Sequence, residues 1–364
     1  MTDTLPSPGR RRLLGLLASL PALGWAGRSR AAPSFGISPA LADTPFPDGA
    51  TILVAGPDDG AMDRWAHLLQ PALAQSLPPG VAMRQIASGG PDGVTGANQF
   101  DTRVAPDGRT VLLAPGETVL AWLVGDPRAK FDVGNWVTVM ACVTPAVVVG
   151  RPAVFAAGGT VRIAADHPAG HDLPAVLGIE LLGGRAQLVP GVGEQEDALQ
   201  GAFARNMVDA VLLRGHKVPA QALALVDAGA APIFALGARD DAGSLIRAAE
   251  FPAVPTLPEF YAQRRGARPT GPIFDAWCAA AVASQLEFGL VLPQLTPAAM
   301  VALWRRAGTD AAGALDVQSP AMSLDVHPLG GPAATANTAP VAVNEAALLA
   351  LRTWLVTRFN WRPA

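Results

Sequence analysis

Two neighbouring segments constrain this chain more than anything else in it. Ile52–Leu68 reads ILVAGPDDGAMDRWAHL, and Gly89–Leu113 reads GGPDGVTGANQFDTRVAPDGRTVLL. Each contains a Gly/Pro/Asp loop between an apolar run of strand length and a run with helical spacing. Such a loop presents free backbone N–H groups at a helix start, which suits an anion. The alternation of strand and helix also dictates an α/β domain, and at these spacings predicts a largely parallel sheet.

The pattern continues along the chain. Thr51–Val54 reads as a strand and Met62–Leu77 as a helix, with Trp65, Leu68, Leu69, Leu73 and Leu77 on one face. Val81–Ile86 reads as a strand, Thr95–Val104 as a helix and Thr110–Ala114 as a strand, with Pro115–Thr118 a loop. Val137–Gly150 is a long β-branched run interrupted by Pro145. The alternation restarts after Pro152: strands at Val161–Ala164, Ala186–Val189, Ala210–Leu213 and Pro232–Leu236, and helices at Leu173–Leu182, Glu196–Arg205 and Pro219–Ala228. That restart predicts a second lobe. Tyr261–Pro272 reads as a polar loop and Ile273–Leu286 as a helix. Phe288–Leu292 reads as a strand, Pro297–Ala307 as an amphipathic helix, Asp316–Pro340 as irregular and Asn344–Phe359 as a closing helix.

Half of the 364 residues are apolar but only 6% are aromatic, so Ala, Val and Leu build most of the core. Arg10-Arg11-Arg12 followed by Leu13–Gly27 has the charged and apolar regions of a secretory signal, and Arg-Arg-x-Leu-Leu fits the twin-arginine pattern. The apolar run is shorter than the roughly 20 residues of a spanning helix. Cleavage after Ala31 removes five Arg and one Asp and takes the formal charge from −3 to −7. An acidic mature chain argues against nucleic acid as a partner. Cys142 and Cys278 are the only cysteines. Export permits a disulfide between them, but buried thiols are the simpler reading.

Little in the sequence points to catalysis. Asp166-His167-x-x-x-His171-Asp172 is the one cluster with metal-like residue types. Pro168 and Gly170 make it a loop, so it lacks the helical face that aligns two imidazoles, and neither a metal nor a cofactor is expected. Gly89–Gly96 is not a dinucleotide fingerprint, and there is no nucleophile elbow or phosphate-loop lysine. Asp63, near the first helix start, serves either the helix dipole or a ligand contact.

These residues resemble the substrate-binding proteins of tripartite tricarboxylate transporters, the Bug receptors. Their first loop typically reads V-P-F-x-P-G-G-x-x-D. Val54, Pro57, Gly60 and Asp63 match it, whereas Ala55, Gly56 and Asp59 depart. Gly90, Gly93, Gly96, Ala97 and the run Ala105–Leu112 match the family's next stretch. Phe131-Asp132, Asn135-Trp136, Val189-Pro190, Val208-Asp209, Val254-Pro255-Thr256, Gly289–Pro293 and Thr296-Pro297 resemble later landmarks in collinear order. The resemblance covers roughly residues 48–360. The second-lobe loop departs most: Ala164–Asp172, AADHPAGHD, stands where the family has a Gly/Ser-rich loop ending near a histidine, with His171 or Asp172 at the histidine position; Glu117 and Gly191 depart as well. Residues at about 260–287 read as an insertion.

The resemblance implies a two-lobed periplasmic-binding-protein fold of type II topology, with a ligand cleft between lobes. Residues 1–42 are then export signal and linker, 48–148 plus 288–364 lobe I, and 149–287 lobe II. The expected ligand-binding residues are Pro57, Asp59, Gly60, Asp63, Gly93, Gly96, Glu117, His167, His171 and Asp172. The expected function is that of a monomeric periplasmic receptor, not an enzyme. It hands a small organic-acid or amino-acid-like ligand to membrane transporter subunits. The alternatives are a secreted enzyme using Asp63, Glu117 and His171 as an acid–base set, and an orphan sensor for a signalling partner. The acidic residues near the first loop favour a monocarboxylate or zwitterion over citrate.

Overall fold

The computed structural model describes residues 46–192 and 196–362. The export signal, with its twin-arginine reading, lies outside them. Thr44–Ala364 forms one compact unit, built on two sheets.

The first sheet begins with β1 (Ala50–Ala55), α1 (Ala61–Ser76), β2 (Met83–Ser88), α2 (Val94–Arg103), β3 (Thr110–Ala114), α3 (Gly116–Val124) and β4 (Trp136–Val143). β1 is buried along its whole length, and β2 and β3 flank it in parallel. This is how a strand covered by helices on both faces reads as an unbroken apolar run. The chain then enters the second sheet as β5 (Ala146–Gly150), followed by α4 (Pro152–Ala157), β6 (Thr160–Ala164), α5 (Leu173–Leu181), β7 (Arg185–Val189), α6 (Glu196–Ala204), β8 (Ala210–Arg214), α7 (Val218–Ala224) and β9 (Ala231–Ala235). A small hairpin, β10 (Ala238–Arg239) with β11 (Leu245–Ile246), leads to α8 (Leu257–Arg265) and α9 (Pro272–Gln285). β12 (Leu286–Pro293) returns to the first sheet, where α10 (Ala298–Gly313), α11 (Leu315–Ser323), β13 (His327–Gly330), α12 (Gly331–Thr338) and α13 (Glu345–Phe359) complete the chain.

The two sheets share one plan. Their orders are β2-β1-β3-β12-β4, with β13 added at the edge, and β7-β6-β8-β5-β9. Each has three parallel strands, then a strand arriving from the other sheet and laid antiparallel, β12 in one and β5 in the other. The sheets are therefore mixed, and the expectation of a largely parallel sheet is corrected. Pro145 marks the switch inside the long β-branched run, with β4 on one side of it and β5 on the other.

Both crossings meet. The Thr144 N–H donates to the Gln285 carbonyl at 2.8 Å, and the Leu236 N–H donates to the Ala146 carbonyl at 3.0 Å. The Gln285 side chain donates to the Gly237 carbonyl at 2.8 Å. Just before the return crossing, α9 is buried along most of its length, and its Trp277 indole donates to the Pro174 carbonyl at 2.9 Å. The segment read as an insertion thus supplies a central core helix.

Other expectations are corrected by local chemistry. α3 begins at Gly116, inside the segment expected to be a loop. Tyr261–Pro272 is not all loop. A capping box of Thr256 and Glu259 starts α8, which runs to Arg265 and stops at Gly266, φ +77°. Asp316–Pro340 is ordered as most of α11, β13, α12 and a final turn. Pro332 sits in the first turn of α12, where its missing N–H costs nothing. Cys142 and Cys278 are both free thiols, and burial pushes both up, Cys142 beyond the ordinary thiol range.

Candidate functional site

In both sheets the parallel strands end at the loops singled out in the sequence, the position where open α/β sheets bind ligands. In the first loop, Gly60 is the N-cap of α1, and a Cβ there would lie 2.8 Å from the Pro57 carbonyl oxygen. Asp59 adopts φ +59°. Asp63 is buried, and its carboxylate accepts the Asp59 N–H at 3.1 Å and the Gln85 side-chain amide at 3.0 Å. Arg64 donates to the Asp59 carbonyl at 2.8 Å. Asp63 thus clamps its own loop as well as sitting at a helix start.

Gly93, φ +70°, lies where three loops converge. A Cβ would meet Thr118 Oγ1 at 2.2 Å and Pro115 Cδ at 2.9 Å. A Cβ on Gly96 would fall 2.7 Å from Ala55 Cα, so α2 can pack onto β1 only with glycine there. Both glycines are buried. They bring the first loop, the start of α2 and the start of α3 together, and Thr118 Oγ1 completes the junction by donating to the Asp92 carbonyl at 3.0 Å.

Glu117, in the first turn of α3, faces His171 in the β6–α5 loop. His171 Nε2 and Glu117 Oε1 are 2.5 Å apart. Burial pushes the Glu117 carboxyl up. The His171 hydrogen bond and charge, its own backbone N–H and nearby Arg214 together outweigh burial and hold it below the usual carboxylate range. The His171 carbonyl accepts from Ser284 Oγ at 2.7 Å, which ties the loop to the end of α9. His171 Nδ1 is buried without a hydrogen-bond partner among the described residues.

The remaining loop residues diverge. Asp166 accepts the Gly191 N–H at 2.8 Å. His167 is exposed and stacks on Trp361 at 5.8 Å and 15°. Asp172 opens α5. Glu117, His167, His171 and Asp172 line one cavity of about 650 Å³ together with Asp92, Asp126, Arg128 and Trp361. Asp166, which also lines the first cavity, and Asp172 line a second cavity of about 140 Å³ with Val192, Leu199, Gln221 and Arg214. Pro57, Asp59, Gly60, Asp63, Gly93 and Gly96 line neither.

Arg214 and Trp361 are the residues that sequence reasoning missed. Arg214 ends β8, and its Nε donates to the Ser284 carbonyl at 3.0 Å. Its Nη atoms have no acceptor among the described residues. The signal for it was available: a cation at the carboxyl end of a predicted strand. Trp361 carried none, since its neighbour His167 is 194 residues away. Arg128, by contrast, is held by Asp126 at 2.6 Å and Asp92 at 2.8 Å. Asp63 makes no hydrogen bond to Glu117 or His171, so the three do not form a connected acid–base set.

No family model matches the chain, and no curated protein does. Solved structures do resemble it. A TctC solute-binding protein from Polaromonas is 17% identical over 86% of this chain and 99% of that one, with a TM-score of 0.62. MatC from Rhodopseudomonas palustris with bound malate is 18% identical over 85% and 100%, with a TM-score of 0.45. A further R. palustris protein with adipate is 14% identical over 86% and 97%, also at 0.45. The likeness to the Polaromonas protein bears out, at the level of the fold, the resemblance carried by the sequence. The chain has the two-lobed fold of these solute-binding proteins.

Proposed function

We propose that this protein is an exported receptor of the tripartite tricarboxylate type. It captures a small monocarboxylate or amino-acid-like zwitterion between its two lobes and delivers it to a membrane transporter. The observation that carries this reading is the Glu117–His171 contact, which joins the first turn of α3 in the first lobe to the β6–α5 loop of the second at the carboxyl ends of the parallel strands. His171, on the larger cavity, and Arg214, on the smaller one, each offer a carboxylate a partner, and Asp166 and Asp172 border both. Glu117, Asp166 and Asp172 surround them with acid, so a second or third ligand carboxylate is repelled and an amine is accommodated. The first loop lines neither cavity in this form; on closure its backbone, clamped by Asp63, supplies further N–H donors from the opposing lobe.

Closure moves the lobes about the paired crossings at Thr144, Gln285 and Gly237. A ligand carboxylate that reaches His171 competes with Glu117 for the same Nε2, so capture exchanges one carboxylate for another at the imidazole. The closed form is then what the transporter distinguishes from the open one. No covalent step is required.

Calorimetric titration with monocarboxylates, amino acids and citrate tests this, using wild type, Arg214→Gln and His171→Ala. The expected result is a 1:1 ligand among the first two classes, weakened about tenfold or more by either substitution. No binding by any acid, or binding indifferent to both substitutions, contradicts the reading. Export by the twin-arginine route is tested separately: replacing Arg10 and Arg11 with Lys leaves precursor in the cytoplasm if that route is used.

A further inference from the structure

A third cavity lies within the first lobe, under the segment Thr335–Ala342. Its volume is about 220 Å³, larger than the roughly 150 Å³ engineered cavity that accepts benzene. Its floor is buried and apolar: Ala114, Val119, Leu286 and Val291. Its rim is exposed at Thr335, Ala339 and Ala342, so it opens to solvent rather than being sealed. No carboxylate lines it.

Besides its threonines, two donors belong to this wall. Trp136 Nε1 is buried and has no hydrogen-bond partner among the described residues. Its indole is fixed from the other side by stacking on Phe131 at 5.4 Å and 19°. A buried donor without an acceptor is costly and uncommon in a native protein. The second donor is Arg305 of α10. Its Nε donates to the Thr138 carbonyl at 3.3 Å, and it has no ion-pair partner among the described residues. Trp136 and Arg305 both line the cavity, and Arg305 is anchored to the β4 backbone two residues from Trp136. The threonines of the wall are already satisfied: Thr138 Oγ1 and Thr338 Oγ1 lie 2.7 Å apart, and Thr338 donates to the Ala334 carbonyl.

We propose that this cavity is a second binding site, separate from the interlobe cleft, for a monocarboxylic acid with an apolar body. The apolar part fills the floor, Arg305 takes the charge and the Trp136 N–H supplies a further donor. The charge balance excludes a cation and disfavours a dicarboxylate, whose second charge would enter an apolar floor without a partner.

The test is calorimetric titration of the purified protein with octanoate, with 1-octanol and the eight-carbon dicarboxylate as comparison probes. One octanoate is expected per chain, bound at least tenfold more tightly than either comparison probe. Arg305→Gln should bring octanoate down to the level of octanol. Gly289→Leu should abolish binding, because Gly289 lines the cavity and a Cβ there meets nothing closer than 3.6 Å, leaving room to fill it. His171→Ala should leave octanoate binding unchanged, which separates this site from the cleft. The proposal is overturned if wild type takes up no octanoate, if octanol binds equally well, if Arg305→Gln has no effect, or if His171→Ala removes the binding. Should Gly289→Leu fail to melt cooperatively, the Arg305→Gln and His171→Ala arms still decide.

Discussion

Glu117 and His171, 54 residues apart in sequence, meet at 2.5 Å and join the helix after β3 to the loop after β6. Glu117 stands where the resembled receptors commonly carry a small polar residue, and His171 is one of the two candidates for their loop histidine, so the glutamate supplies that histidine with a carboxylate partner.

The coupling of this pair can be measured. The carboxylate is 43% exposed and the imidazole 21%, so a double-mutant cycle of Glu117→Gln and His171→Ala in denaturant unfolding should give about 0.5–1 kcal/mol. The Glu117 carboxyl lies below its ordinary value of 4.5. Its contribution is therefore present above that value and lost as pH falls through the lower folded-state value. A coupling that grows as pH falls below 4.5 runs against this assignment.

Asp63 should act on the loop and not on ligand charge. Asp63→Ala removes the acceptor of the Asp59 N–H and the Gln85 amide, and should destabilise the protein by about 1–3 kcal/mol. Asp63→Asn keeps one acceptor and should cost less. Both should weaken an amine-bearing ligand and its deaminated analogue to the same extent. Selective loss of the amine-bearing ligand would show that Asp63 contacts it.

Gly93→Ala should be among the most damaging single changes. The left-handed conformation costs an L-residue about 1–2 kcal/mol, and the added methyl would overlap Thr118 Oγ1, 2.2 Å from the Cβ position. Thermal melting should show a loss of several degrees or more. Gly158→Ala, also at positive φ but with nothing within 4 Å of its Cβ, should pay only the conformational part.

Much of this was legible in the sequence because it is local. Thr110–Ala114 is read to the residue, and most other strands and helices of the alternating pattern fall within one or two residues of their observed ends. What escaped is set by packing. α3 follows β3 after a single proline, so Pro115 and Gly116 read as loop. α11 and α12 carry Pro320 and Pro332, which read as breaks, although the helices gain stability from burial of Val317, Ala321 and Ala334. The antiparallel entry of β5 and β12 depends on chain crossings that no local pattern encodes. At the cleft, the Gly/Pro loops and the histidine loop stand out by composition. The pairing of His171 with Glu117, the reach of Arg214 and the stacking of His167 on Trp361 depend on contacts between distant segments.

Another histidine–carboxylate pair gives a pH signature. His327 lies 2.6 Å from Glu250. The Glu250 hydrogen bond raises His327 above its ordinary 6.5, and the same bond lowers Glu250 below 4.5. The histidine's contribution is complete below 6.5 and lost as pH rises through its higher folded value. The glutamate's is complete above 4.5 and lost as pH falls through its lower one. The stability difference between wild type and His327→Gln should therefore be largest between about 4.5 and 6.5, staying below about 1 kcal/mol for so exposed a pair. A difference that is flat from pH 3 to 9 contradicts the pairing.

The receptor reading is tested most directly by a thermal-shift screen of wild type against Arg214→Gln, using mono-, di- and tricarboxylates and amino acids. A ligand that binds only the folded state must raise the melting temperature. The account predicts that at least one monocarboxylate or amino acid stabilises wild type, that Arg214→Gln abolishes most of that shift, and that citrate stabilises neither. Strong stabilisation by citrate that persists in Arg214→Gln would contradict it.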